Sequence, residues 1–563
     1  MVDVRRSRPS PLVFLTLAAT LSAPFLALAQ DKPDRPEKSD KPDEKLSSPA
    51  IHPATVPDSI TEGSVTVNGQ AIAYRAIAGT ITVGGSDPQD ATLGLDGKHL
   101  PDSEIKLPEK SEEAPPTARM FYAAYFKKDA PAAHRPVTFI YNGGPGSPTM
   151  WLHMGTFGPK RIVTPDTQHQ TAAPYTLVNN EYSLLDVSDV VFIDAPGTGL
   201  SRTFGKNKAE AFYGIDGDGH AFERFIRRFL SKYNRWNSPK YLFGESYGTP
   251  RSAVLAADLR SVDLNGIILL SQILSFDNSV DGPTANPGVD QAYAIALPTY
   301  AATAWYHHKL PKQPPALKPF LAEVEKYAMG DYMTALLAGS ELSDAQRQAV
   351  AEKLHSYIGL PVDYLLRAEL RVTGGEFSKT LKLDEGITIG RLDTRYEGPD
   401  LDPLSQSTSY DPQSDAITSP WNTAINEYVH NDLKYATQAT YLMSARDGGD
   451  FSWNMNHRPP SARGPAGGGG SSETGANVMP DLAYRMKLNP KMKVLLAGGY
   501  YDLATPYFEG IYEMHHLPMP RSLQSNISYH YYEAGHMIYV REDILKQFHA
   551  DVAAFIQSTE SGK

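Results

Sequence analysis

The chain of 563 residues contains no cysteine. That one absence excludes disulfides, thiolate metal sites, iron–sulfur clusters and a cysteine nucleophile. There is no sustained basic run either, and 64 acidic against 53 basic residues leave a net charge of −11. A nucleic-acid or anionic-membrane partner would require the opposite balance. Long apolar runs are equally scarce. The main candidate, Leu12 to Leu28, is short for a bilayer span and is interrupted by Pro24. What remains is a chain with 41% hydrophobic and 21% charged residues, a globular composition long enough to bury a large core. Its chemistry must rest on oxygen and nitrogen side chains.

The apolar run reads as part of a secretory signal over residues 1–29. Arg5, Arg6 and Arg8 supply the positive start, and Ala27-Leu28-Ala29 offers small residues at the cleavage positions. Cleavage removes three arginines and one aspartate, taking the net charge from −11 to −13. No stable membrane anchor then remains, and the product is expected to be exported, periplasmic or secreted. Residues 30–50 are expected to be a disordered charged linker, because Pro mixed with Asp, Glu, Lys and Arg dominates them and little can drive burial. Glycines around Gly464 to Gly475 lack the strand and the Lys-Ser/Thr of a phosphate loop, so they read as a mobile surface loop.

The body begins with strands. Ser64 to Val67 runs into Asn68-Gly69, a hairpin turn, and Ala71 to Tyr74 returns from it. Arg119 to Phe126 and Val137 to Tyr141 follow. Strands then alternate with helices: strand Asp189 to Ile193, helix Ala221 to Tyr233, strand Tyr241 to Phe243, helix Pro250 to Leu259, strand Gly266 to Leu270. Two late strands, Lys493 to Ala497 and Ile527 to Tyr532, precede a closing helix from Glu542 to Ile556. This predicts an α/β fold, a mixed and mostly parallel sheet with helices on both faces. Residues 51–287 and 447–563 would form its two parts, with a helical cap inserted at 288–446. No internal repeat is visible.

Gly244-Glu245-Ser246-Tyr247-Gly248 lies between a predicted strand and a predicted helix. A strand–turn–helix elbow needs small residues around a strained nucleophile, so this context points to Ser246. A serine hydroxyl needs a base. Asp502 and His536 follow the nucleophile in the order acid then histidine, each in a loop beyond a strand end. His307, His308, His515 and His516 lie in helical patterns and are read as solvent-facing. An oxyanion needs two backbone donors: the amide of Tyr247, and one from the glycine-rich loop Asn142 to Gly146 after a strand. Asp216-Gly217-Asp218-Gly219 lacks the further ligands of a calcium loop and reads as a helix-entry turn.

Together, Asn142-Gly143-Gly144-Pro145-Gly146, Asp194-Ala195-Pro196-Gly197-Thr198-Gly199-Leu200-Ser201, Gly244-Glu245-Ser246-Tyr247-Gly248, Asp502 and Gly535-His536-Met537 resemble the motif series of the serine carboxypeptidases. The resemblance implies an α/β-hydrolase fold and removal of C-terminal residues from peptide substrates through an acyl-enzyme, without cofactor or metal. It implies Ser246 as nucleophile, His536 as base and Asp502 as its orienting acid. The amides of Gly144 and Tyr247 would form the oxyanion hole, and Asn142 and Glu245 would bind the substrate carboxylate. A carboxylate beside Glu245 requires that residue to be protonated. The family usually supplies a second glutamate to share that proton, and here Thr156 stands in its place. Ile140 and Ser147 replace a common tryptophan and cysteine. An esterase or acyltransferase on the same triad is the rival reading, and a non-catalytic secreted binding protein is the rival from another class.

Overall fold

The computed structural model describes residues 56–101, 110–435, 438–449, 451–460 and 476–560. The expected signal at 1–29, the linker at 30–50 and the glycine-rich loop at 464–475 lie outside the described residues. The first hairpin pairs β1 (Ser59–Val67) with β2 (Gln70–Gly84) around Asn68 and Gly69. Both turn residues have positive φ, +49° and +77°. That is the turn whose twist matches the flanking strands.

β3 (Thr117–Lys127), β4 (Val137–Tyr141), β5 (Asp189–Ile193), β6 (Lys240–Glu245), β7 (Gly266–Leu270), β8 (Lys493–Gly499) and β9 (Ile527–Tyr532) complete the main path of the sheet. The spatial order is β1-β2-β3-β5-β4-β6-β7-β8-β9, with a short strand, Arg202–Phe204, beside β3. β1, β2, β3 and β5 pair antiparallel, and from β5 to β9 every neighbour is parallel. This is an α/β-hydrolase fold. The central strands are apolar along their whole length because both faces of the sheet are covered.

Alternation along each strand sends side chains to two cores. Leu242 joins the core under α1 (Ile215–Lys232) and α2 (Gly248–Asp258), whereas Tyr241 and Phe243 join the opposite one. Phe222, Phe225, Ile226, Phe229 and Leu230 of α1 are all buried, each contributing about 1.5–3 kcal/mol relative to exposure. α1 also takes in Asp216 to Gly219 as its first turn.

Between β7 and β8 the chain is mostly helical, including α3 (Gln291–Tyr306) and α4 (Pro412–Glu427). Many of these residues form their own core, which reaches Tyr501, Leu503 and Tyr507 of the main body. α4 packs elsewhere, with Ile417, Trp421 and Ile425 in the core beneath the sheet. A short antiparallel pair, Ile387–Ile389 with Glu397–Pro399, is a strand feature that the helical pattern of this region does not reveal. α5 (Met479–Leu488), α6 (Tyr507–His515) and α7 (Glu542–Glu560) complete the helices used below. No described helix is long and apolar enough to cross a membrane.

Candidate active site

Four loops leave the carboxyl ends of β4, β6, β8 and β9, and all four reach one cavity of about 460 Å³. The loop after β6 holds Ser246 at φ +57°, a conformation that non-glycine residues seldom adopt. Close packing imposes it. A Cβ on Gly244 would lie 2.1 Å from the Gly248 carbonyl oxygen, and one on Gly143 would lie 2.3 Å from the Tyr247 nitrogen. Only glycine lets these backbones approach so closely, which is the physical reason for both motifs.

His536 Nδ1 pairs with Asp502 Oδ2 at 2.8 Å. The carboxylate is held from every side: Oδ1 accepts from the amides of Ala504 (2.9 Å) and Thr505 (3.0 Å), and Oδ2 also accepts from the Thr505 hydroxyl at 2.7 Å. The Thr505 oxygen is also 3.2 Å from His536 Nδ1. Burial opposes charge on His536, but Asp502 and then Glu245 outweigh it and move the imidazole above its ordinary value. Ser246 and His536 line the same cavity, and the Ser246 hydroxyl makes no hydrogen bond among the described residues. Such nucleophile–base contacts are commonly long before substrate arrives.

Gly144 and Tyr247 also line the cavity, and the amide of neither donates to a backbone carbonyl among the described residues. Beside them, Glu245 is buried at 2% exposure. Asn142 Nδ2 donates to Glu245 Oε2 at 2.7 Å, and the Tyr539 hydroxyl approaches both carboxyl oxygens at 3.2 and 3.1 Å. Burial pushes the Glu245 carboxyl up to about 7 against the pull of His536, Tyr539 and Asn142.

Arg251 of α2 reaches under this loop, donating to the Asn142 carbonyl at 2.6 Å and to Asp218 of α1 at 2.6 and 3.2 Å. Asp218 thus belongs to a buried ion pair. Asp194, from the second motif block, accepts from the amides of Thr149 and Leu200 and from Tyr441, which fastens the far end of the same loop.

Residues 111–261 match the model of the serine carboxypeptidase family, a span that includes the oxyanion loop and the Ser246 elbow. This segment, about a quarter of the chain, is similar to that family. Asp502 and His536 lie outside the matched span, and the fold alone brings them to the cavity of Ser246. No curated protein matches the chain. Among solved structures it resembles the prohormone-processing carboxypeptidase Kex1 from Saccharomyces cerevisiae at 14% identity, over 85% of this chain and 91% of that one, with a TM-score of 0.46. Proline iminopeptidase from Mycobacterium smegmatis matches at 12% identity over 79% and 96%, with a TM-score of 0.33.

Two expectations need correction. Thr156 does not stand in for a glutamate at Glu245. It lies in a π-helical turn, His153–Phe157, and its hydroxyl donates to the Leu152 carbonyl at 2.6 Å, so the group facing Glu245 is Tyr539. His307 is not solvent-facing. Its side chain is 2% exposed, with Nε2 2.6 Å from the Thr394 carbonyl and Nδ1 3.1 Å from Glu397. His308, His515 and His516 are exposed.

His307 supports a strap that sequence reasoning does not identify. Residues 391–394 run between the short strands of the insertion and bond to the loops that carry Asp502 and His536. Leu503 N donates to Arg391 O (3.1 Å), His536 N to Leu392 O (2.6 Å), and Thr394 N to Tyr501 O (2.9 Å). Arg391 and Asp281 form an ion pair on one wall of the cavity, while Trp151, Phe276 and Ile417 make another part apolar.

Proposed function

We propose that this protein is an exported serine carboxypeptidase. The observation that carries the activity is the position of Glu245 and Asn142 beside Ser246 in the cavity that also holds His536. A nucleophile, a base and a hydrogen-bonding site for a terminal carboxylate lie within reach of one short substrate end. Export is supported by the charged start, apolar run and small cleavage residues of positions 1–29.

In this reading the last peptide bond lies over Ser246. His536 takes the serine proton as Oγ attacks the carbonyl carbon, and the tetrahedral oxyanion accepts from the amides of Gly144 and Tyr247. His536 then protonates the leaving amine, which departs as the C-terminal amino acid and leaves an acyl-enzyme on Ser246. Water, deprotonated by His536, attacks the ester and releases the shortened peptide and the serine. Asp502 stabilises the imidazolium throughout without taking the proton.

The test is hydrolysis of a blocked dipeptide with a free C-terminus beside its amidated twin, across pH. Preference for the free acid, declining as pH rises through about 7 where Glu245 ionises, supports the reading. Equal rates on both would replace it with an esterase or acyltransferase on the same triad. Absence of serine-probe labelling at Ser246 would leave only a binding protein.

A further inference from the structure

Glu245 is held by a tyrosine. The phenol of Tyr539 stands three residues beyond His536, is 3% exposed, and spans both oxygens of the Glu245 carboxyl. The slot it occupies exists because residue 155 is glycine: a Cβ there would lie 2.6 Å from the tyrosine ring and 3.3 Å from Trp421. The next side chain, Thr156, is committed to Leu152. Asn142 supplies the second donor on the carboxyl and adds no charge. The titratable groups around Glu245 are therefore few: Tyr539, His536, whose positive charge favours the carboxylate, and Asp502, which opposes it.

We propose that Tyr539 is the positioning residue that orients Glu245 and controls its proton, and thereby sets the pH range in which a substrate's terminal carboxylate is accepted. Only that last step rests on the carboxypeptidase reading. A phenol does this differently from a carboxyl. Burial and the facing Glu245 push its own ionisation far up, so it remains a neutral donor. When Glu245 is ionised, Tyr539 donates to it and favours the anion. When Glu245 is protonated, its hydroxyl is free to donate to a bound carboxylate, and the phenol oxygen can accept in the absence of substrate.

The experiment compares wild type with Tyr539→Phe, which keeps the ring, and with Tyr539→Met, which fills the slot flexibly in case the first variant folds poorly. Glu245 is titrated directly by difference infrared spectroscopy, its carboxyl band assigned by loss in Glu245→Gln. kcat and KM on a free-acid dipeptide are followed over the same pH range. Loss of a donor to a charged acceptor should move the carboxyl titration and the alkaline limb of activity upward by about one pH unit. The change should be carried by KM rather than kcat. If neither moves in a folded variant, Tyr539 merely packs and the proposal falls. If the band moves while wild type treats free acid and amide alike, the hold of Tyr539 on Glu245 stands, and the carboxylate step falls together with the carboxypeptidase reading.

Discussion

Two buried histidines among the described residues hold an aspartate oxygen within 2.8 Å, and only one of them lines the cavity of Ser246. His536 bonds Asp502 through Nδ1 and lines the cavity that holds Ser246. His457 is fully buried, with Nδ1 2.6 Å from Asp216 and Nε2 2.7 Å from Asp481. The aspartate–histidine bond therefore does not distinguish a catalyst from a brace. What distinguishes them is the second nitrogen, which faces a cavity in one case and a carboxylate in the other. Their protonation follows. Burial opposes the charge of His457, yet Asp216 and Asp481 together push it up to about 9, so it is a fixed cation near neutral pH. A base with that value would be protonated when its reaction needs it free.

The sharpest way to break this comparison is to remove each ring. His536→Gln should lower kcat by about 10⁴-fold with little change in melting temperature. His457→Gln should leave kcat within about twofold, while stability falls by about 3–5 kcal/mol because the buried Asp481 and the partly exposed Asp216 lose their cation. Chemical denaturation beside steady-state kinetics measures both. A large loss of turnover in folded His457→Gln would mean that the brace reaches the active site.

The second effect is on stability against pH. The folded value of His457 lies above the ordinary 6.5. Its contribution is therefore fully present below about pH 6.5 and is lost as pH rises through about 9. With both nitrogens paired the contribution is ~3 kcal/mol. Denaturation midpoints measured from pH 6 to pH 10 should fall in wild type and stay flatter in His457→Gln. Parallel curves would sink the assignment.

The catalytic side has its own pH signature. In the proposed mechanism His536 must be neutral to act as base, and its value is raised, so activity should begin only above the ordinary histidine range. Glu245 must be protonated to meet a carboxylate, and it ionises at about 7. Free-acid peptides should therefore give a narrow bell, and amidated peptides or esters a plain rise. Glu245→Gln keeps a donor without a charge, so the descending limb should disappear, leaving at most a roughly tenfold change at the optimum. A bell that persists in Glu245→Gln would assign the limb to another group.

The difference between the two histidines was only half legible in the sequence. His536 announces itself because it follows a strand in the right order after Ser246, and open sheets place such loops at one edge. The Ser246 elbow is local on one side, since Gly244 is required by its contact with Gly248 four residues on, whereas Gly248 is required by Tyr141 of the neighbouring strand. His457 sits in no periodic pattern, and its partners are 241 and 24 residues away. The strap at 391–394 escapes notice for the same reason, because its bonds are made by backbone groups that any residue carries. Thr156 shows a further limit. Its place in the motif series, where the family has a second glutamate, was readable, but the π-helical turn that commits it to Leu152 was not.

The smallest expected effect probes what keeps His536 in its role. Thr505 donates to the same Asp502 oxygen that pairs with His536, so it draws off part of the negative charge that would otherwise favour the imidazolium. Thr505→Val keeps the shape and the backbone amide on Oδ1 but removes that donor. More of the Asp502 charge then falls on His536, and its value should rise further, moving the ascending limb of ester hydrolysis to higher pH. Orientation also loosens, so kcat at the plateau should fall by about threefold to tenfold. The two consequences separate in one pH profile. A lower plateau with an unmoved limb would make Thr505 a spacer, whereas a shifted limb would make it the group that keeps this histidine from becoming a second His457.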